Sequence, residues 1–291
     1  VSKALASRHG LVLARRRIFS PHVRSKFQAC YKIIRQLGEG SYGNVYEAET
    51  LCADGAVSST PSRRVAVKCF KLSQDKSDDT KLVLRESFEK ERFILARMEH
   101  PHIVKMYECF EERGSLWIAL ELCRGGELYE YISAKAQQRK HSGGALDEIE
   151  AKLYFRQMLH AVGFLHASRI VHRDLKSENF LLLGDPRTKA GSVIKLCDFG
   201  TAFQLTDQLQ RAPGKIGTLS YTAPEVWGRQ GADVCADMWS LGVLLYVLHV
   251  GASPFRLTGH EPRSDTIRRI VSGDFEKSRP TWISMSIEGK N

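Results

Sequence analysis

Residues 170–179 read Ile170-Val171-His172-Arg173-Asp174-Leu175-Lys176-Ser177-Glu178-Asn179. An apolar pair runs into a short polar loop holding a carboxylate (Asp174), an ammonium two residues on (Lys176) and an amide oxygen five residues on (Asn179). A carboxylate can take a proton from an attacking hydroxyl, a lysine can hold a phosphoryl oxygen, and an asparagine can ligate Mg2+. In-line phosphoryl transfer from ATP has those three needs. A polar surface turn after an apolar strand would give the same string. What separates the two is whether the other parts of such a site occur in order along the chain.

Upstream, Tyr31–Leu37 and Asn44–Ala48 are β-forming stretches on either side of Gly38-Glu39-Gly40-Ser41-Tyr42-Gly43. They predict a hairpin whose turn carries three glycines, able to close backbone amides over a triphosphate without side chains in the way. It lies between two strands, which disfavours a dinucleotide-binding βαβ unit; glycines of an ordinary turn give the same pattern. Val65–Phe70 reads as a strand with Ala66 and Lys68 on one face. A lysine turned inward beside small residues needs an anion, whereas one on an edge strand snorkels to solvent. Lys81–Met98 reads as a charged helix, on which Glu91 either pairs with Lys68 or shares a solvated face with Glu86 and Glu89. Strands near Ile103–Phe110 and Leu116–Leu120 complete a small antiparallel unit.

After Gly125-Gly126 the pattern turns helical. Tyr154, Met158, Ala161 and Leu165 recur at one-face spacing along a long helix. A loop, Gly184–Gly191, separates two short strands. In Lys195-Leu196-Cys197-Asp198-Phe199-Gly200 an aspartate at a strand end, with a glycine freeing the backbone, suits a Mg2+ ligand; by itself it would be an Asx-type turn. Gly217-Thr218 and Ala223-Pro224-Glu225 follow, and Asp237–Val250 reads as a buried helix.

The 291 residues are 43% hydrophobic and 26% charged, as in a soluble globular protein, and the net charge is +10. Nine Lys/Arg and no acid fall within residues 1–35, so the basicity belongs to an N-terminal tail or linker, residues 1–30. Its Arg-rich composition is also that of a transit peptide or of a membrane- or RNA-binding arm. Tail aromatics are few, and no nucleic-acid partner is expected. The seven cysteines show no zinc spacing and are read as reduced thiols of a cytoplasmic protein. The apolar run Met238–Val250 is too short to span a bilayer.

Taken together and in this order, the motifs resemble those of the eukaryotic protein kinase family, from about Tyr31 to Trp282. Val65-Ala66-Val67-Lys68, His172-Arg173-Asp174-Leu175-Lys176-x-x-Asn179, Asp198-Phe199-Gly200 and Ala223-Pro224-Glu225 carry the resemblance. Lys176 with Gly217-Thr218 is similar to the serine/threonine branch. Residues 99–110, 125–128 and 215–226 are most similar to the calcium/calmodulin-dependent group, and within it to the calcium-dependent kinases of plants and protists.

The resemblance implies an α+β fold of two lobes: a mainly antiparallel β lobe with one main helix over residues 31–123, and a larger helical lobe over 124–291. The helical lobe would be cut short of its last helices, without the arginine that usually pairs with Glu225. It implies that the amides around Gly38, Glu39, Gly40, Ser41, Tyr42 and Gly43 cover the phosphates of ATP, with Leu37 a further nucleotide contact. Lys68, braced by Glu91, would hold the α- and β-phosphates. Val45, Ala66 and Leu181 would sandwich the adenine, with Leu120 as gatekeeper and Glu121 and Cys123 at the hinge. Asp174 would be the base, Lys176 would steady the γ-phosphate, Thr218 would complete the catalytic set, and Asn179 and Asp198 would bind Mg2+. Glu127, which follows the hinge glycines, and Glu178 would face a substrate arginine three residues before the acceptor.

The expected partners are protein substrates with a basic residue before Ser/Thr, and a calcium sensor or EF-hand segment outside this chain. A catalytically silent kinase-fold scaffold is the alternative, and retention of Lys68, Asp174 and Asp198 argues against it. Ser177 stands where the family usually has proline, a difference expected to matter little. Arg173 would dock a phosphate on the activation segment, but the matching position, four before Thr218, is Gly214 and has no hydroxyl.

Overall fold

The computed structural model describes residues 26–40, 43–51, 62–72, 77–139, 144–188, 192–207, 210–214, 216–228 and 231–290. The expected tail, residues 1–30, falls almost wholly outside them, as do Ser41 and Tyr42. Two compact units emerge. Of the described residues, one holds those up to Glu99 together with Lys105–Leu122, and the other holds His100–Val104 and those from Cys123 onward.

The first unit is an antiparallel sheet. Strands β1 (Tyr31–Gly40), β2 (Gly43–Thr50), β3 (Arg64–Lys71), β4 (Met106–Glu112) and β5 (Ser115–Leu120) lie in the order β1-β2-β3-β5-β4. The β-branched Val65 and Val67 lie fully buried in β3, the strand with two neighbours on each side. That central place removes the edge-strand alternative for Lys68. The stretch read as one strand, Ile103–Phe110, is divided: Ile103 bridges Leu196 of the second unit, and the β4 ladder begins only at Met106.

A helix, α2 (Asp78–Leu95), packs on this sheet. It begins three residues before the expected Lys81 because the Ser77 hydroxyl accepts the Thr80 amide, with Asp78 and Asp79 in the first turn complementing the helix dipole.

Ahead of β1, one helical turn, α1 (Phe27–Cys30), inserts Phe27 into the sheet's core. Its ring is 2% exposed, stacks on Trp117 at 4.2 Å and meets Phe110 edge-on at 5.6 Å. Burying a phenylalanine contributes about 1.5–3 kcal/mol by area alone.

The second unit is built on helices α3 (Leu128–Gln138), α4 (Glu148–Ala167), α5 (Pro224–Trp227), α6 (Val234–Val250), α7 (Arg263–Ser272), α8 (Pro280–Ser284) and α9 (Ile287–Lys290). The predicted stripe Tyr154, Met158, Ala161 and Leu165 is buried on α4, which packs on α6. Buried residues lie on every side of α6, and Asp233 caps its first turn by accepting the Cys235 amide. It ends at Gly251, φ +78°, whose amide donates to Val247 O; only a left-handed residue closes the helix this way.

Short antiparallel pairs, β6 (Ile170–Val171) with β9 (Phe203–Gln204) and β7 (Phe180–Leu182) with β8 (Ile194–Leu196), frame the loop at 172–179. None of the described helices is long and apolar enough to cross a membrane.

Candidate active site

In the first unit, Lys68 and Glu91 form a buried ion pair. Lys68 Nζ lies 2.7 Å from Glu91 Oε2, the side chains being 6% and 1% exposed. β3 presents the lysine and α2 the glutamate, so neither acid–base alternative from sequence, edge lysine or solvated glutamate, describes them. Ala66 is paired directly with Leu120 across β3 and β5, and Val45 with Lys68 across β2 and β3. Those four expected nucleotide contacts therefore lie side by side on one patch of sheet.

Of the glycine motif, Gly40 pairs with Gly43 where the hairpin closes. A Cβ on Gly43 would lie 1.9 Å from Cys69 O, so only glycine lets β2 approach β3 there. Leu37 and Glu39 are exposed, and a Cβ on Gly38 would meet nothing within 4 Å. Glu121 donates its amide to Lys105 O at 2.8 Å.

In the second unit, Asp174 is held from three directions. Its Oδ1 accepts the Thr218 amide at 2.9 Å and the Thr218 hydroxyl at 2.8 Å. Its Oδ2 lies 3.0 Å from Lys176 Nζ. Its main-chain oxygen accepts Asn179 Nδ2 at 2.7 Å. Burial alone would push the Lys176 ammonium down, but the charge and hydrogen bond of Asp174, with Glu178 and Asp198, outweigh it and hold it above the ordinary lysine value. Gly217, φ +120°, is where the segment turns onto the loop: a Cβ there would meet Arg173 O at 2.7 Å.

Arg173 and Asp198 both adopt positive φ, +70° and +58°. Non-glycine residues hold such angles only when the surroundings over-determine them. At Arg173 the surroundings are the carboxylate of Asp237, fully buried on α6, which accepts the amides of His172 and Arg173 and lies against His166 Nε2, all at 2.9 Å. From the sequence, Asp237 opens one of the ordered motifs, Asp237–Gly242, and the helix expected to be buried, with no partner assigned to it. A carboxylate within so apolar a run needs partners, and that was the available signal. Phe199 is fully buried with its ring edge-on to His172 at 5.1 Å.

The Arg173 side chain is engaged by main-chain carbonyls. Nε donates to Thr201 O at 2.7 Å and a terminal nitrogen to Pro213 O at 2.8 Å, and the guanidinium lies 5.5 Å from the Phe203 ring. Glu225, expected to be a buried acid in need of an arginine, is only half-buried, in the first turn of α5.

Glu127 and Leu181 form an antiparallel bridge, which sets the start of α3 beside β7. Burial, then Glu130 and Glu178, push the Glu127 carboxyl above its ordinary value, with Lys176 opposing. The two acids therefore share one field. Cys123 is half-buried in the same unit. Ser177, expected to be inconsequential, is fully buried and hydrogen-bonded on two sides.

Residues 31–291 match the family model described as "Protein kinase domain". The chain belongs to the protein kinase family. It is 35% identical over 262 residues to a calcium/calmodulin-dependent protein kinase of Metarhizium anisopliae, covering 90% of this chain and 60% of that one. It is 34% identical over 264 residues to one from Emericella nidulans, covering 91% and 56%. With a calcium/calmodulin-dependent serine/threonine-protein kinase of Oryza sativa it shares 33% over 276 residues, covering 94% and 41%. The chain thus spans about half the length of the curated relatives it matches. Its antiparallel-sheet unit and its helical unit are the two lobes of the kinase fold, and the similarity to the calcium/calmodulin-dependent group read from the motifs is borne out.

Proposed function

We propose that this chain transfers the γ-phosphoryl group of ATP to a serine or threonine hydroxyl of a protein. The observation that carries the reading is Asp174 fixed by Thr218, Lys176 and Asn179 in the second unit. Asp174 orients the acceptor hydroxyl and takes its proton as the new P–O bond forms, while ADP leaves with the electron pair of the bond that breaks. Lys176 steadies the oxygens of the transferred group, and Lys68, held by Glu91, neutralises the phosphates that remain. Most of the acceleration comes from positioning and fixed charge.

The donor set fits Mg2+. The Asn179 nitrogen is committed to Asp174 O, so its amide oxygen is what it offers a cation, and Asp198 offers a carboxylate. Both are hard oxygen donors. Among the described residues no group of three or more His, Cys, Asp or Glu could hold a metal by itself, and an ion held by Asn179 and Asp198 would be completed by phosphate oxygens. When bound, Mg2+ supplies charge neutralisation on those phosphates. Asp174→Asn should abolish peptide phosphorylation while leaving ATP-analogue binding largely intact; full activity in that variant would remove Asp174 as the base.

The substrate preference proposed is arginine three residues before the acceptor, because Glu127 and Glu178 act together and a guanidinium suits paired carboxylates. Replacing that arginine by alanine in a peptide array should cut phosphorylation strongly, and an unchanged signal counts against the preference. The names of the relatives support a calcium sensor as a regulatory partner. Phosphorylation that is indifferent to calcium with calmodulin would count against such a partner.

A further inference from the structure

The turn Ser177–Asn179 carries a polar chain that the motif reading passes over. Ser177 is fully buried where its 3-10 turn meets α3. Its hydroxyl lies 3.0 Å from Glu178 Oε2 and 3.2 Å from the Tyr221 phenol oxygen, 44 residues away in sequence. An ionised carboxylate can only accept, so the one Ser177 proton goes to Glu178 and the phenol donates to Ser177. The order Tyr221 to Ser177 to Glu178 is thereby fixed.

Tyr221 is itself pinned. Its amide donates to Thr218 O at 2.9 Å, and its carbonyl accepts the Ser240 hydroxyl from α6 at 2.8 Å. Burial, helped by the charge of Glu178, pushes the phenol up to about 12, so it keeps its proton. The chain therefore ties one carboxylate of the catalytic loop to the segment that also positions Asp174.

We infer that Ser177 is a specificity-positioning residue, whose hydroxyl, supplied by Tyr221, holds the Glu178 carboxylate in the orientation that receives a substrate arginine. This rests on the reading of Glu127 and Glu178 as the arginine-selecting pair. A free glutamate has three rotatable bonds to immobilise when it binds a cation, and the bond to Ser177 has already fixed them. It occupies Oε2 and leaves Oε1 for the guanidinium. Proline, the usual residue of the family at this position, has no hydroxyl with which to do this.

The experiment compares two peptides, with arginine or alanine three residues before the acceptor serine, on the 291-residue protein and its Ser177→Ala, Ser177→Thr and Tyr221→Phe variants. The wild type should favour the arginine peptide in kcat/KM. Ser177→Ala should lower that ratio by roughly three- to tenfold, mainly through KM for the arginine peptide. Ser177→Thr, which keeps the hydroxyl, should restore the ratio. Tyr221→Phe should lower it less, since Ser177 can still donate to Glu178. A wild-type ratio kept by Ser177→Ala, or equal losses on both peptides, overturns the positioning role. A wild type with no arginine preference overturns the reading of the Glu127–Glu178 pair, and this inference with it.

Discussion

Thr218 gives both its amide, at 2.9 Å, and its hydroxyl, at 2.8 Å, to the same oxygen of Asp174. The amide bond survives any side-chain change, so substitution isolates the hydroxyl. Thr218→Ala should lower kcat roughly 10- to 100-fold, the equivalent of the 1.5–3 kcal/mol of a hydrogen bond to a charged group. Thr218→Ser should recover most of it. Steady-state kinetics at saturating peptide read the difference, and an undiminished kcat in Thr218→Ala would detach the hydroxyl from catalysis.

Lys68 and Glu91 behave as a buried pair, so removing one partner strands the other. Lys68→Met should stop transfer and lower stability by about 3–5 kcal/mol, as should Glu91→Leu. The Lys68→Met/Glu91→Leu double variant should be inactive yet fold more stably than either single one. Denaturant melts of the three variants check this. Additive losses in the double variant would show that the pair is not coupled.

Asp237 accepts two main-chain amides at a backbone angle that Arg173 would not otherwise hold. Asp237→Asn faces at least one donor with another donor. The loss should be about 3 kcal/mol, lowering Tm by roughly 6–12 °C for a protein of this size. An unchanged Tm would mean that the loop geometry is set elsewhere.

Arg173 already holds the carbonyls of Thr201 and Pro213, contacts that in the docking expectation a phosphate would make. Gly214 carries no hydroxyl. Activity of protein purified from bacteria should be the same before and after phosphatase treatment. A large drop, mapped to a residue between Phe199 and Glu225, would show that another hydroxyl supplies a docking phosphate.

Glu127 titrates above an ordinary glutamate, from burial first and then from Glu130 and Glu178. A carboxyl whose folded value is raised favours the fold below its unfolded value and loses that contribution as pH rises through the folded one. Its charge, to which the proposed arginine preference is assigned, runs the other way and fades early on acidification. The arginine-over-alanine peptide ratio should therefore begin to fall on acidification at a higher pH than an ordinary glutamate would titrate. A ratio that falls only where an ordinary glutamate titrates would place the selectivity elsewhere.

Local pattern made much of this legible. The glycine hairpin, the Lys68 strand, the α4 stripe and the loop chemistry all show in residue types a few positions apart. What it could not show are partners far along the chain. Glu91 was one of three acids until α2 turned it toward Lys68. Asp237 reaches His172 and Ser177 reaches Tyr221 over 65 and 44 residues, and no periodicity marks such pairs. Ile103 misled because an apolar residue bridging Leu196 reads, locally, like the start of the strand that follows.

Phe27 lies four positions ahead of the family match, yet its ring sits inside the sheet between Trp117 and Phe110. The kinase unit thus begins mechanically before it begins by motif. A pull reaching Lys26 would be delivered to that aromatic plug. Trp117, against which that plug rests, stands directly opposite Cys69, next to Lys68 on β3. A load at Phe27 would therefore be felt one residue away from the Lys68–Glu91 pair.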